Sequence, residues 1–125
     1  MVAKLVIADY FARLDGPDPM SGLELAEPDV EFLLALPDRE VRGTGRDDLG
    51  AYLAGRPAVG RKHVVLRSCV DGDLEMVYGI VTEGDGHGTG SFVSVGLVSS
   101  AGRLARYQSF FHPVFGMFPL PVVRS

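Results

Sequence analysis

The stretch that decides the fold is EPDVEFLLALPDREVRGTGRDDLGAYLAG, residues Glu27–Gly55. Its apolar run Val30–Leu36 predicts a strand that is covered on both faces. Two glycines then permit a tight turn into a short helix, Arg46–Ala54. Thr44, with Asp47 three residues later, is typical of the residue that caps the start of such a helix. The pattern therefore predicts a buried strand that turns directly into a capped helix.

Two further helices are predicted before this stretch. Apolar side chains recur at helical spacing through Val2–Leu14, and the residues Asp15-Gly16-Pro17 end that helix. Ser21 and Glu24 have the spacing of a capping box, in which each side chain bonds the other's backbone. They predict a second, short helix that ends near Glu27.

The second half of the chain is rich in β-forming residues, divided by turn signals. Four strands are predicted: His63–Val70, Leu74–Glu83, Ser91–Ser99 and Leu104–His112. The glycine-rich run Gly84–Gly90 is interpreted as a longer, mobile connection between two of them. Helices first and antiparallel strands last indicate an α+β fold. We expect a cone-shaped, curved sheet wrapped around a long N-terminal helix, with two shorter helices.

Composition limits the partners and the compartment. The 125 residues predict one domain, 1–113, and an apolar tail, 114–125, that packs on the domain or on a second subunit. A net charge of -4 without a Lys/Arg cluster argues against nucleic acid. No apolar run is long enough to span a membrane. The single cysteine, Cys69, is expected to behave as a small core residue and fits a reducing cytoplasm.

Four motifs in this order resemble the nuclear-transport-factor-2-like superfamily, in particular its SnoaL-like polyketide cyclase and ketosteroid isomerase branch. They are Tyr10–Asp15, Pro28–Phe32, Arg42–Leu49 with Tyr52-Leu53, and Gly102–His112. The resemblance covers residues 2–113. It implies a cone that encloses a pocket for a small hydrophobic molecule, and a homodimer formed through the outer face of the sheet. It does not imply one reaction, because this fold hosts many activities.

The resemblance places Tyr10 where ketosteroid isomerases hold a phenol that hydrogen-bonds a developing enolate oxygen. The same alignment puts the isomerase's carboxylate base near Leu33 or Leu34, and its second oxyanion donor near Ser94. A leucine cannot abstract a proton, so a faithful ketosteroid isomerase is excluded. The alternative for Tyr10 is a buried helix aromatic whose hydroxyl is satisfied locally.

The resemblance also argues against the mechanism of limonene epoxide hydrolases. Their last-strand carboxylate corresponds to Ser109, and the strand Leu74–Glu83 lacks an Arg-x-Asp pair. Without a carboxylate to activate water, that hydrolysis is not supported. Ser109 alternates with Tyr107 and Phe111, so all three are expected on one face, the pocket face. Ser109 is then a hydrogen-bonding wall residue.

His63 is the best candidate for acid–base chemistry, because imidazole titrates near neutrality and can take up and return a proton. It resembles the histidine of scytalone dehydratase that removes a proton before water leaves. The alternative is a strand-edge histidine that is solvated or caps a backbone group. His112 is expected to be structural and His87 solvated. The spacing of the three histidines predicts no metal site, and no motif predicts a cofactor.

The remaining pocket residues follow from the same resemblance. Phe32, Leu36, Leu49 and Tyr52 are expected to form an apolar lining, or alternatively ordinary core. Tyr78 provides a second phenol if it faces the pocket. If it faces outward, it belongs to a sheet-to-sheet dimer.

These residues together predict a cofactor-independent isomerase, cyclase or dehydratase that acts on a hydrophobic, carbonyl-bearing molecule, polyketide-like or steroid-like. His63 is the predicted base and Tyr10 the predicted donor, with Ser94, Ser109 and Tyr78 positioning the ligand. The alternative is a non-catalytic ligand-binding or scaffold dimer of the same fold. The two differ in whether His63 and Tyr10 face one cavity.

Overall fold

A computed structural model describes residues 5–121 and has the expected α+β organisation. Its elements, in chain order, are helix α1 (Val6–Leu14), a 3-10 helix (Pro19–Leu25), strands β1 (Ala26–Ala35) and β2 (Glu40–Thr44), helix α2 (Gly45–Ala54), and strands β3 (Lys62–Asp71), β4 (Leu74–Glu83), β5 (His87–Val98) and β6 (Leu104–His112). Within residues 5–121, none of the helices has the length and the apolar character needed to cross a bilayer.

The six strands form one mixed sheet in the order β2-β1-β6-β5-β4-β3. β1 runs parallel to β6, and every other neighbouring pair is antiparallel. Along β1, Val30, Phe32 and Leu34 are buried while Glu31 between them is exposed. The prediction that this strand is covered on both faces is therefore wrong, because its second face is open at Glu31.

Helix α1 is shorter than predicted. Leu5 has an extended backbone and precedes the helix, so the described helix begins at Val6 and contains nine residues, against ten in α2. Residues 2–4 of the predicted helix lie outside the described residues. The expected long N-terminal helix is thus corrected to a short one. Its start is stabilised from the sheet, where the buried Glu75 carboxylate accepts the backbone N–H groups of Val6 and Ile7, each at 3.0 Å.

The predicted capping box is wrong. The segment forms a 3-10 helix that begins at Pro19. Glu24 does not reach back to Ser21 but forms an ion pair with Arg13 on α1, at 2.8 Å. The Ser21 hydroxyl instead donates to the carbonyl of Asp18 at 2.7 Å. An available cation on the neighbouring helix therefore outweighs the local cap.

Helix α2 lies where it was predicted, with Thr44 as the residue before it, but the capping bond differs. The Thr44 side chain makes no cap, and its backbone N–H donates to the Asp48 carboxylate at 2.9 Å. Strand β2, Glu40–Thr44, was not predicted. Half-buried and exposed residues alternate along it, and few of them are apolar, so the sequence of this segment does not indicate a strand. Its extended form comes from pairing with β1.

The strands of the second half agree best with the sequence, since β4 and β6 have the predicted bounds. Strand β5 begins earlier, at His87, so the predicted mobile connection Gly84–Gly90 is a tight turn of three residues, 84–86, followed by the first four residues of β5. Gly84 and Gly86 adopt positive φ angles of 50° and 95° there, a backbone region that glycine enters without strain. Cys69 is exposed on the edge strand β3, so its assignment to the core is also wrong.

The core lies between the helices and one face of the sheet. Ile7, Tyr10 and Phe11 of α1 are buried there against residues of β5 and β6. Gly96 on β5 permits this close approach, because a Cβ atom at that position would lie 2.8 Å from the Ile7 side chain. Helix α1 is therefore held against the middle of the sheet.

The C-terminal segment, as far as residue 121, lies on the opposite, outer face of the sheet. The Ser91 hydroxyl donates to the carbonyl of Phe115 at 2.6 Å. The Phe118 ring lies 5.8 Å from the Tyr78 ring, and the Arg67 guanidinium is 4.8 Å from the centre of Phe118. Residues 122–125 of the predicted tail lie outside the described residues.

Candidate functional site

A cavity of about 870 Å³ lies between helices α1 and α2 and the sheet face that they cover. This is within the range of pockets that bind small molecules, roughly 300–1,000 Å³. Its lining has apolar side chains from the helices and strands, among them Phe11, Leu14, Leu34, Val81 and Phe92. Charged side chains come mainly from the loops that follow β1 and α2. The cavity thus combines an apolar wall with a charged border.

His63 and Asp15 form a hydrogen-bonded pair at this cavity. His63 Nδ1 lies 3.0 Å from Asp15 Oδ1 and 3.2 Å from Oδ2. The same carboxylate accepts the backbone N–H of His63, and the two side chains are only 14% and 11% exposed. A carboxylate at Nδ1 fixes the tautomer with the proton on Nδ1. That leaves Nε2 as the basic nitrogen, with no hydrogen-bond partner among residues 5–121.

Two phenylalanines hold the His63 ring in place. Phe11 stacks on its face with ring centres 4.3 Å apart and 5° between the planes. Phe92 contacts it edge-on at 5.3 Å and 77°. Helix α1 and strand β5 therefore fix the orientation of the ring together, one through a face contact and the other through an edge contact. The alternative reading of His63 as a solvated strand-edge residue does not hold, because the side chain is largely buried.

Tyr10 lines the same cavity from α1. It is almost completely buried, and its hydroxyl makes no hydrogen bond with any of residues 5–121. Burial raises the pKa of Tyr10 well above 10.0, the neighbouring Tyr107 raises it further, and the positive charge of Arg56 opposes the shift. A phenol that stays protonated at neutral pH can donate a hydrogen bond to a ligand but cannot act as a base.

A polar group on β5 and β6 faces Tyr10. Ser94 and Ser109 are paired across the two strands, and their Oγ atoms are 2.7 Å apart. Tyr107, two residues from Ser109, contacts the Tyr10 ring edge-on at 5.5 Å. Burial raises the pKa of Tyr107 to about 12, while its hydrogen bonds with Ser109 and Ser94 act in the opposite direction. The site therefore holds two neutral phenols.

The border of the cavity carries both signs of charge. Its arginines are Arg39, Arg42, Arg56 and Arg61, and its carboxylates are Asp38, Asp48 and Glu83. Arg61 pairs with Glu83 at 3.5 Å, and Arg42 pairs with Glu40 at 3.4 Å. The guanidinium groups of Arg39 and Arg56 form no ion pair or hydrogen bond with residues 5–121.

Comparison with solved structures finds many proteins that superpose on most of the chain. A protein proposed to be a ketosteroid isomerase from Kribbella flavida superposes with a TM-score of 0.70 at 25% identity, over 91% of this chain and 80% of that one. A proposed isomerase of the SnoaL-like family from Agrobacterium tumefaciens gives 0.71 at 17% identity, over 86% and 94%. TerC, co-crystallised with polyporic acid, gives 0.68 at 22% identity, over 87% and 90%.

The chain belongs to the nuclear-transport-factor-2-like superfamily. Its structural neighbours are SnoaL-like and ketosteroid-isomerase-like proteins, as the sequence motifs indicated. No protein-family model and no curated protein matches the chain. The superfamily assignment therefore depends on the tertiary structure. It indicates the fold but no particular activity.

Most of the side chains that the sequence nominated for this nuclear-transport-factor-2-like pocket do line it. They are Tyr10, His63, Leu36, Tyr52 and Ser109. Ser94 is fully buried behind Ser109 and reaches the cavity only through that hydroxyl.

Three nominated residues lie elsewhere. Leu49 is buried in the core, as the alternative interpretation had it, and does not line this cavity. Phe32 is buried against Gly43, where a Cβ atom would meet its ring at 2.6 Å, and it does not line the cavity either.

Tyr78, the third of them, faces the outer side of the sheet, where its hydroxyl accepts the backbone N–H of Met117. Its paired residue Val93 is exposed on that same side. The Tyr78 side chain therefore cannot touch a ligand held between α1 and the sheet.

Two contributors were not recognised from the sequence, because Asp15 was interpreted only as a helix stop and Arg56 was given no role. Tyr107 was expected on the pocket face, as found, but not as a second phenol of the site. A signal for Tyr107 existed in its alternation with Ser109, but nothing local links Asp15 to His63, which is 48 residues away. The contact between Asp15 and His63 depends on how α1 packs on the sheet.

The other two histidines of this superfamily member have local partners. His87 Nδ1 lies 2.6 Å from the Asp85 carboxylate at the hairpin turn, and these hydrogen bonds lower the pKa of Asp85. His112 Nδ1 accepts the backbone N–H groups of Val114 and Phe115. Among residues 5–121, no three His, Cys, Asp or Glu side chains are grouped as metal ligands.

Proposed function

We propose that this protein is a cofactor-independent acid–base enzyme of the isomerase, cyclase or dehydratase type, acting on a hydrophobic carbonyl-bearing molecule. The observation that carries the proposal is that His63 and Tyr10 line one cavity. Enolisation requires a base and a neutral hydrogen-bond donor, and this cavity with its apolar wall contains both.

In this mechanism His63 Nε2 removes a proton from the carbon next to the substrate carbonyl. Asp15 accepts the Nδ1 proton in a hydrogen bond throughout and stabilises the imidazolium that forms. Tyr10 donates to the carbonyl oxygen as negative charge develops there. His63 then returns the proton to another carbon, or protonates a leaving hydroxyl, or leaves the enolate to attack a second carbonyl. These three outcomes give an isomerase, a dehydratase or a cyclase.

The neighbours support the substrate class. The proposed ketosteroid isomerase is named for a reaction of ketones, the SnoaL-like protein is a proposed isomerase, and TerC was co-crystallised with polyporic acid. The cavity volume of about 870 Å³ suits a polyketide-like or steroid-like molecule. The Ser109 hydroxyl, supported by Ser94, offers a polar contact for a second oxygen of such a ligand.

An exchange assay tests the proposal without knowledge of the product. Ketones with acidic α-protons, β-tetralone among them, are incubated with the protein in heavy water, and loss of the α-proton signal is followed by NMR. We expect the wild type to accelerate exchange and His63→Gln to reduce that acceleration by about 10²- to 10⁴-fold. His87→Gln is the matched control, because His87 lies at the β4–β5 turn and does not line the cavity. A His63→Gln variant that exchanges at the wild-type rate would contradict the assignment.

A second candidate is a non-catalytic ligand-binding or scaffold dimer. It is favoured by the close packing of His63 between Phe11 and Phe92, which leaves little of the ring accessible. Leu34 also lines the cavity where the resemblance places a carboxylate base. Ligand binding without exchange of any ketone in the panel would select this candidate over the enzyme.

We also infer a cytoplasmic homodimer. The free, exposed thiol of Cys69 is ordinary in a reducing compartment. The exposed apolar residues on the outer face of the sheet, Val93 and Phe110 among them, support self-association.

A further inference from the structure

Arg56 is a cation at the cavity without a counter-ion in the described part of the chain. It lies two residues beyond α2, is half-buried, and lines the cavity. Its backbone N–H donates to Leu53, but its guanidinium makes no ion pair or hydrogen bond with residues 5–121. A guanidinium that is partly removed from water loses hydration, and an anion placed beside it restores the lost interaction.

Arg56 shares the cavity with the two phenols of the site, since Tyr10 and Tyr107 line it as well. Its positive charge favours the ionised form of both Tyr10 and Tyr107 and lowers the pKa of each, against the larger effect of burial. An anionic group bound by Arg56 therefore occupies the same cavity as the hydrogen-bond donor of the proposed reaction.

The other charges at the border do not remove this preference. Glu83 is engaged by Arg61. Asp48 keeps its charge, since the Thr44 N–H that it accepts is neutral, but it forms no ion pair with Arg56. Asp38 lies next to Arg39, which is exposed and, like Arg56, forms no ion pair within residues 5–121. Because the whole chain carries a net charge of -4, a local positive site is needed for an anion to bind here.

We propose that the ligand of this cavity is a hydrophobic carboxylic acid whose carboxylate pairs with Arg56. The planar guanidinium fork matches a carboxylate in two parallel hydrogen bonds, which a lysine or a neutral donor cannot provide. The apolar part of the ligand contacts Phe11 and Phe92 on the opposite wall. This inference rests on the proposed function for the location of the site, but it concerns the charge of the ligand rather than the chemistry.

Two probes of equal size test it. Binding of β-naphthoate and of its neutral analogue β-naphthamide is measured by isothermal titration calorimetry at low and high salt. We expect the wild type to prefer the acid by about tenfold or more, and the preference to weaken with salt. Arg56→Gln should abolish the preference while leaving the amide affinity unchanged, and Arg56→Lys should restore only part of it. Arg103→Gln is the matched control, since Arg103 pairs with Glu27 and does not line the cavity.

Equal affinity of the wild type for both probes overturns the inference, as does an Arg56→Gln variant that keeps the preference for the acid. If neither probe binds to the wild type, the inference is overturned as well. The proposed function fails separately, because it depends on His63 in the exchange assay. A His63→Gln variant that still prefers the acid but has lost exchange supports both. A His63→Gln variant that still accelerates proton exchange contradicts the mechanism, but the proposed role of Arg56 is unaffected.

Discussion

At the residue scale, the polar groups of the site differ in how many neighbouring side chains hold them. His63 has a carboxylate on one ring nitrogen and aromatic rings on its face and edge, so its orientation is set before a ligand binds. Ser109 and Ser94 act against the raised pKa of Tyr107, whereas no hydroxyl of residues 5–121 forms a hydrogen bond with Tyr10. Tyr10 is therefore the phenol that is available to a ligand, and Tyr107 contributes mainly to the neutral surroundings of Tyr10.

The raised pKa of Tyr107 predicts that stability falls at high pH. The folded protein keeps this proton up to about pH 12, whereas the unfolded chain loses it near 10.0. Between these values the folded state binds more protons, so the free energy of unfolding decreases as the pH rises. The loss is present above pH 10 and amounts to roughly 3 kcal/mol for a shift of about two units.

Chemical unfolding across this pH range, for the wild type and for Tyr107→Phe, measures the effect. We expect the variant to show a shallower decline, because it has no phenol to ionise at that position. Tyr78→Phe is the control, since Tyr78 lies on the outer face of the sheet. Parallel curves for the wild type and Tyr107→Phe would rule out this origin of the pH dependence.

At the scale of elements, helix α1 cannot be stable by itself. A helix of nine residues is too short to persist in water, so its position depends on the sheet. Glu75 on β4 supplies part of that stability, because its carboxylate satisfies two unpaired N–H groups and complements the positive end of the helix. The same helix carries Tyr10 and is followed at once by Asp15, so the site is built on this contact.

Replacement of Glu75 by Gln should destabilise the protein by about 2 kcal/mol, because the amide has one acceptor oxygen and no charge for the two N–H groups. Thermal unfolding gives the stability change, and hydrogen exchange should show faster exchange in α1 than in β5. Glu40→Gln is the control, because Glu40 makes only an exposed ion pair with Arg42. Equal unfolding temperatures for Glu75→Gln and Glu40→Gln would refute the role of the buried carboxylate.

The elements also differ in how well their sequences predict them. Strands β4 and β6 were predicted with the correct bounds, because alternating apolar residues and clear turns are local signals. Strand β2 was missed, since Glu40–Thr44 has few apolar residues and acquires its form from pairing with β1. The capping box at Ser21 failed for a related reason, because a partner from another element competes for Glu24.

At the scale of the whole molecule, the outer face of the sheet carries exposed apolar side chains that the cavity does not account for. Val93 and Phe110 are paired across β5 and β6 and are 42% and 48% exposed. The C-terminal segment covers the sheet near Ser91 and Tyr78 and presents Phe115 and Met117 outward. Contiguous exposed apolar side chains of this kind are typical of an interface between subunits.

We expect the protein to form a homodimer through this face. Light scattering coupled to gel filtration should give a dimer for the wild type at micromolar concentration. Phe110→Glu should shift it to a monomer, because a charge would be buried without a partner. Val59→Glu is the control, since Val59 is exposed in the loop between α2 and β3. A wild-type monomer, or a Phe110→Glu dimer, would exclude this interface.

The amino-acid sequence by itself determined the α+β class, the bounds of two strands, and the shared face of Tyr107, Ser109 and Phe111, because these follow from local periodicity. Only the tertiary structure decided which chemistry those faces enclose. It brought Asp15 to His63 across 48 residues and placed Arg56 in the lining of the same cavity as the two phenols. It also turned Tyr78 away from the cavity. These positions depend on the packing of helices against the sheet, and periodicity along the chain carries no information about that packing.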